Sequence, residues 1–173
     1  MRPNRARPVP TTIVGASVVA GLLVAALVGC SGSASVESKD SPKQSQQKLL
    51  ALLDRTQAQV GGTWVNEDSG SPRGCELAAS GADGVTFTGT RTMKGAPLDT
   101  AGMDELIVFL KGEGLDAGRA GMGVLTSVMG VDPDDKTRYV EVRIGKFSTQ
   151  LTGQATCVTG DVLEELERVE RGE

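Results

Sequence analysis

Three cysteines, Cys30, Cys75 and Cys157, and no histidine bound the chemistry open to this sequence of 173 residues. Without histidine there is no serine–histidine or cysteine–histidine nucleophile, no histidine general base and a poor donor set for catalytic zinc. Acid–base work would fall to carboxylates, and their spacing suits it badly. Glu67 and Asp68 are neighbours; on a strand, neighbours point to opposite faces, so the pair reads as a solvated loop. Asp132, Asp134 and Asp135 lack the alternating acids, central glycine and distal glutamate of an EF-hand loop and read as a turn around Pro133. Gly118-Arg119-Ala120-Gly121-Met122-Gly123 has the look of a phosphate loop. A dinucleotide fingerprint follows a strand and opens a helix, whereas these glycines follow a helical pattern and precede a strand. They read as a flexible connection. No catalytic residue, no metal site and no cofactor is expected, and the residues that would bind a ligand stay unknown.

Cys30 has a different context. Residues 1–10 hold Arg2, Arg5, Arg7 and three prolines, and residues 11–28 then run without charge. A basic stretch, an apolar stretch and small residues at a cut site describe a secretory signal. The run ends in Leu27-Val28-Gly29-Cys30, followed by Ser31-Gly32-Ser33. That tetrapeptide resembles the bacterial lipobox, in which the cysteine thiol takes a diacylglyceryl group and the chain is cut just before it. The alternative is an uncleaved spanning helix, for which the run is about the minimum length. The resemblance implies residues 1–29 as a lipoprotein signal peptide and Cys30 as the lipidation site. Two or three acyl chains on one residue anchor stably where one is marginal. Residues 30–47 then form a lipidated cysteine and flexible tether, too polar to offset chain entropy. Residues 48–173 form a single domain.

Removing residues 1–29 leaves 173 − 29 = 144 residues, a size for one domain, with a charge balance of 15 − 22 = −7. An acidic chain with five aromatic residues argues against nucleic-acid binding, which wants a basic face and stacking rings. Outside the membrane, disulfides form. Cys75 and Cys157 then pair in one way, closing a long loop worth roughly 4 kcal/mol in the chain-entropy model. A metal pair or a reactive thiol is the alternative, but there is no histidine and no Cys-x-x-Cys spacing.

These groups need elements to position them. Leu49, Leu52, Leu53, Thr56 and Val60 fall on one face of a helix over 44–60, capped by Ser41 or Ser45 and ended by Gly61-Gly62. Thr63-Trp64-Val65 reads as an edge strand, with the lone Trp64 packing on the Leu49–Leu53 face; the alternative is an anchor for a ligand or partner. Residues 66–74 read as turn chemistry. Residues 84–90 alternate Val85, Phe87 and Gly89 against threonines, a half-buried strand. A second helix follows over 99–114, with Met103, Leu106, Ile107 and Leu110 as its stripe. Residues 115–123 read as a loop or weak strand. Strands then follow at 124–129, at 139–144 and from Phe147, the last two joined by a Gly145-Lys146 hairpin signal. Lys146 reads as a solvated turn residue. Residues 161–171 form a charged helix with Val162, Leu163, Leu166 and Val169 on one side and favourable pairs Glu164–Arg168 and Glu167–Arg171. The expected fold is α+β, a mainly antiparallel sheet with helices packed on one face.

Three pieces together resemble the LppA-type lipoproteins of mycobacteria and their actinobacterial relatives: the lipobox signal; Thr63-Trp64-Val65-Asn66-Glu67-Asp68 with Cys75 shortly after; and Ile144-Gly145-Lys146-Phe147-Ser148-Thr149-Gln150-Leu151-Thr152-Gly153-Gln154-Ala155-Thr156-Cys157. The pattern spans roughly residues 48–158. This chain departs from it in a shorter mature N-terminal segment, the absence of a proline-rich tail and the helix over 161–171. The resemblance implies an anchored cell-envelope domain and carries over no catalytic residue. The expected role is non-catalytic binding or accessory work at the extracytoplasmic face of the cell membrane. Its partners would be the membrane, through the anchor, and an envelope protein or lipid. The alternative is a carrier for a lipid or other hydrophobic envelope molecule.

Overall fold

The computed structural model describes residues 38–68, 70–77, 80–121 and 126–172. The expected signal segment, Cys30 and residues 31–37 of the expected tether lie outside the described residues. So do Met122 and Gly123 of the glycine-rich connection, and Val124 and Leu125 of the expected strand.

The first helix, α1 (Pro42–Val60), begins earlier than the tether reading allows. Ser41 and Gln44 form a reciprocal capping box, and Pro42 fits the first turn, where no amide partner is needed. Residues 42–47, expected as part of a tether, are helix instead. Leu49, Leu52, Leu53, Thr56 and Val60 are all buried, as their spacing requires. Burying each leucine contributes roughly 2 kcal/mol.

The strands are β1 (Val65–Asn66), β2 (Pro72–Glu76), β3 (Asp83–Lys94), β4 (Asp116–Ala120), β5 (Thr126–Val131), β6 (Tyr139–Ile144) and β7 (Ser148–Gln154). The other helices are α2 (Thr100–Gly112) and α3 (Val162–Glu170). Every pairing is antiparallel, in the order β1-β3-β7-β6-β5-β4, with β2 also on β3. The fold is thus a single α+β domain with a seven-stranded sheet.

Residues directly opposite in antiparallel strands share a face. The registers place Val85, Phe87, Gly89, Arg91, Leu151, Gly153, Val140, Val142, Ile144, Val128, Gly130 and Ala117 on one side. All are buried. α1 lies over β3 and β7, α2 over β4 and β5, and α3 beside β2. Gly89 and Gly153 let α1 approach closely: a Cβ on Gly89 would stand 2.5 Å from Leu53 Cδ1, and one on Gly153 2.9 Å from Leu49 Cδ1. Leucine methyls occupy the space these glycines leave. The other side carries Thr88, Thr90, Thr92, Gln150, Thr152, Gln154, Tyr139, Glu141 and Arg143.

Several readings need correction. Residues 72–74, expected as turn, belong to the strand β2, because β3 offers them an unpaired edge. Residues 116–120 take the weak-strand alternative and not the loop, pairing with β5 although Gly118 weakens the local propensity. β5 extends to Val131, past the expected end at 129. Gly145 N–H donates to Ser148 O, so Lys146 and Phe147 are the turn's central pair and Phe147 is 79% exposed. The turn sits one residue later than the Gly145-Lys146 signal indicates. The apolar side of α3 is shallow: none of its residues is buried, and Leu163 is 70% exposed.

Candidate functional site

Cys75 and Cys157 are bonded, with Cα atoms 6.0 Å apart and a sequence separation of 82. Cys75 lies opposite Gly84 in the β2–β3 ladder, and Val158 bridges Val85 on the other edge of β3. A Cβ on Gly84 would meet Cys157 Sγ at 2.9 Å and Val158 O at 2.8 Å. The bond therefore lies against the bare backbone of β3 and ties its two neighbours together.

Glu67 is exposed, but Asp68 is not the solvated loop residue expected. Arg91 is 2% exposed on the helix-covered side of β3. Its Nε and Nη2 donate to Asp68 Oδ2 at 3.2 and 3.0 Å, its Nη1 donates to Gln57 Oε1 at 2.8 Å, and Asp54 pairs with it at 2.7 Å. Asp68 Oδ1 is buried with no hydrogen-bond donor among the described residues. The alternation Val85, Phe87, Gly89, Arg91, Met93 was the sequence signal for this buried arginine; ending the strand at Thr90 hides it.

The remaining candidates take quiet roles. Asp132 Oδ1 accepts from the N–H groups of Asp134 and Asp135, closing the turn read around Pro133. Gly118 and Arg119 lie in β4, and Arg119 pairs with Asp104 at 2.7 Å. Trp64 packs partly buried against the core, its Nε1–H donating to Gly61 O at 2.7 Å. Lys146 Nζ sits 5.3 Å from the Phe147 ring centre. In α3, Arg168 pairs with Glu165 and Gln46 Oε1 rather than Glu164, because Gln46 on α1 draws it toward the helix interface. Glu167 and Arg171 do pair, at 3.7 Å.

A recess of about 310 Å³ opens between α1 and residues 154–156. Leu49, Leu52 and Ala155 contribute apolar wall, and Lys48, Arg55 and Arg138 contribute cations. Ser45 Oγ–H donates to Thr156 O at 2.9 Å and fixes that segment against the helix. Arg55 donates from Nε and Nη2 to the two oxygens of Glu113, at 2.9 and 2.6 Å. That pairing holds the Glu113 carboxyl below its ordinary range and the guanidinium above its own, with Arg138 adding to the first effect. Arg138 Nη1 donates to Asp132 Oδ2 at 2.7 Å. Burial pushes the Asp132 carboxyl up, but the backbone donors of Asp134 and Asp135 and the Arg138 guanidinium outweigh it, and the net shift is down. No local motif announces this recess, since Arg138 joins Lys48 and Arg55 of α1 from far along the sequence.

The uncovered side of the sheet is the other broad surface. It is polar and mostly half-buried, since its threonines and glutamines pack along the strands. Arg143 pairs with Glu141 at 2.8 Å, which raises the arginine's pKa. Among the described residues, no group of three or more His, Cys, Asp or Glu could hold a metal ion, and no helix is long and apolar enough to cross a membrane.

No family model and no curated protein matches this chain. Among solved structures it is similar to the crystal structure of a DUF4853 family protein from Actinomyces odontolyticus ATCC 17982, with a TM-score of 0.53, 12% identity and 72% of each chain covered. At that identity the likeness is one of fold: the chain shares an α+β architecture with the actinobacterial protein over most of its length.

Proposed function

We propose that this chain is a lipid-anchored cell-envelope protein of the LppA type, held on the extracytoplasmic face of the membrane through Cys30, with a non-catalytic binding role. The observation that carries the reading is the Cys75–Cys157 bond. Disulfides persist in oxidising compartments, and a secretory leader is the route there. The leader pattern supports it independently, ending in Leu27-Val28-Gly29-Cys30. Because α1 starts at Pro42, the span from Cys30 to Ser41 is 41 − 30 = 11 residue steps. Such a span reaches at most about 40 Å when fully extended. The domain would work close to the bilayer, through the polar sheet face or the recess beside α1.

The test is expression from the chain's own leader in a bacterial host fed an alkyne fatty acid. The chain is expected to take the label and to stay with membranes. Cys30→Ala is expected to lose both. Protease added to intact spheroplasts is expected to digest the domain. Label retained in Cys30→Ala, or an unlabelled chain in the cytosol, overturns the reading.

A further inference from the structure

We propose that the recess between α1 and residues 154–156 binds a phosphate group carried on a short apolar body. Among the described residues, three cations line it against a single acid, Asp40. The acids that orient the two arginines, Glu113 and Asp132, are not part of the lining. They fix the guanidinium groups without filling the space. Arg55 spends Nε and Nη2 on Glu113, and Arg138 spends Nη1 on Asp132. Arg55 Nη1 and Arg138 Nε and Nη2 remain without an acceptor among the described residues. A guanidinium with spare donors, held in place by a partner behind it, is the usual means of taking up an oxyanion.

Lys48 supplies the third charge. Its Nζ is held by both oxygens of Asp40, at 2.8 and 2.6 Å. Asp40 precedes the Ser41 cap by one residue, so it belongs to the entering chain and not to a packed element. Its carboxylate stands where an incoming phosphate would compete for the lysine. Three cations suit a phosphate, with its three acceptor oxygens, better than a single carboxylate. Leu49, Leu52 and Ala155 give an attached alkyl group an apolar wall. About 310 Å³ is at the small end for a ligand pocket and suits a compact body. The chain's net negative charge opposes approach only weakly, since screening sets in over about 8 Å at physiological salt.

The site does not require Cys30 to be acylated, so it stands or falls separately from the anchored reading. The experiment titrates the detergent-solubilised, disulfide-bonded full chain by calorimetry at fixed ionic strength. The probes are hexyl phosphate, dihexanoyl phosphatidylglycerol, inorganic phosphate and hexanol. Hexyl phosphate is expected to bind, inorganic phosphate to bind at least tenfold more weakly, and hexanol not to bind. Arg138→Gln is expected to weaken hexyl phosphate about tenfold by removing a charged donor. Lys48→Gln, on a largely exposed side chain, is expected to weaken it as well without affecting folding. Asp40→Asn is expected to tighten it. Equal binding of the lipid and hexyl phosphate assigns a headgroup as the source; binding of hexyl phosphate alone assigns a free ligand. No binding of either, or unchanged affinity in both Arg138→Gln and Lys48→Gln, overturns the proposal.

Discussion

Arg91 and Asp68 meet above Gly89, where a Cβ would lie 2.8 Å from Asp68 Oδ1. The pair fastens Asp68, just after β1, to β3, with Asp54 and Gln57 reaching in from α1. Breaking one side of a buried ion pair leaves an uncompensated charge. Arg91→Met is therefore expected to lower stability by about 3 kcal/mol in urea unfolding. The double variant Arg91→Met, Asp68→Ala is expected to be more stable than Arg91→Met alone. A double variant that loses the sum of the two single effects would show that the residues act independently.

The disulfide closes a loop across most of the domain. Replacing both Cys75 and Cys157 by serine is expected to cost about 4 kcal/mol, read as a lower urea midpoint than the oxidised protein. The reduced wild type should unfold at the same midpoint as the double serine variant. Agreement of reduced and oxidised wild type would mean that the bond adds nothing.

Gly84→Ala presses a methyl group against Cys157 Sγ, Val158 O and Leu77 Cδ2, the last at 3.2 Å. Overpacking of this kind is expected to cost about 1–3 kcal/mol. Gly153→Ala should cost a similar amount through Leu49 and Leu53, and Leu53→Ala should relieve part of it while opening a cavity of its own. Thermal unfolding of the four proteins checks the coupling, and strict additivity would contradict the contact.

The acid response follows from Asp132 and Glu113, whose folded carboxyls are both held down. A depressed folded pKa contributes stability above the unfolded value, about 4. That stability drains away as the pH falls through the lower folded value. Unfolding free energy is expected to be flat from pH 7 to about 5 with respect to these groups and to drop below about 4. Asp132→Asn should be less stable at pH 7 and lose less on acidification. A variant with the wild-type acid slope would remove Asp132 from this account.

The sequence made some features legible and hid others for physical reasons. The face of α1 was readable because five apolar or small positions recur at helical spacing and all five are buried. β6 was readable because Val140, Val142 and Ile144 alternate with polar residues. β2 and β4 were not: Pro72–Glu76 and Asp116–Ala120 carry glycine, proline and charge, and they become strands because a neighbour supplies the ladder. That is tertiary context overriding propensity. Ser45 was a cap candidate, yet it is buried on Thr156 O while Ser41 caps α1. The recess was illegible because its cations converge only after α1, the end of α2 and the β5–β6 turn have packed.

The interruption between β1 and β2 also governs how copies of the chain can meet. Glu67 N–H still donates to Thr90 O, and the ladder resumes with Pro72 opposite Phe87. A long unbroken outer strand is a template on which a second molecule can add its own. Here β1 and β2 are separate short strands, and Pro72 offers no amide hydrogen to a newcomer. At the far side β4 is five residues long and carries Asp116 and Arg119. Among the described residues, neither margin of this sheet gives a neighbouring molecule a continuous run to zip onto.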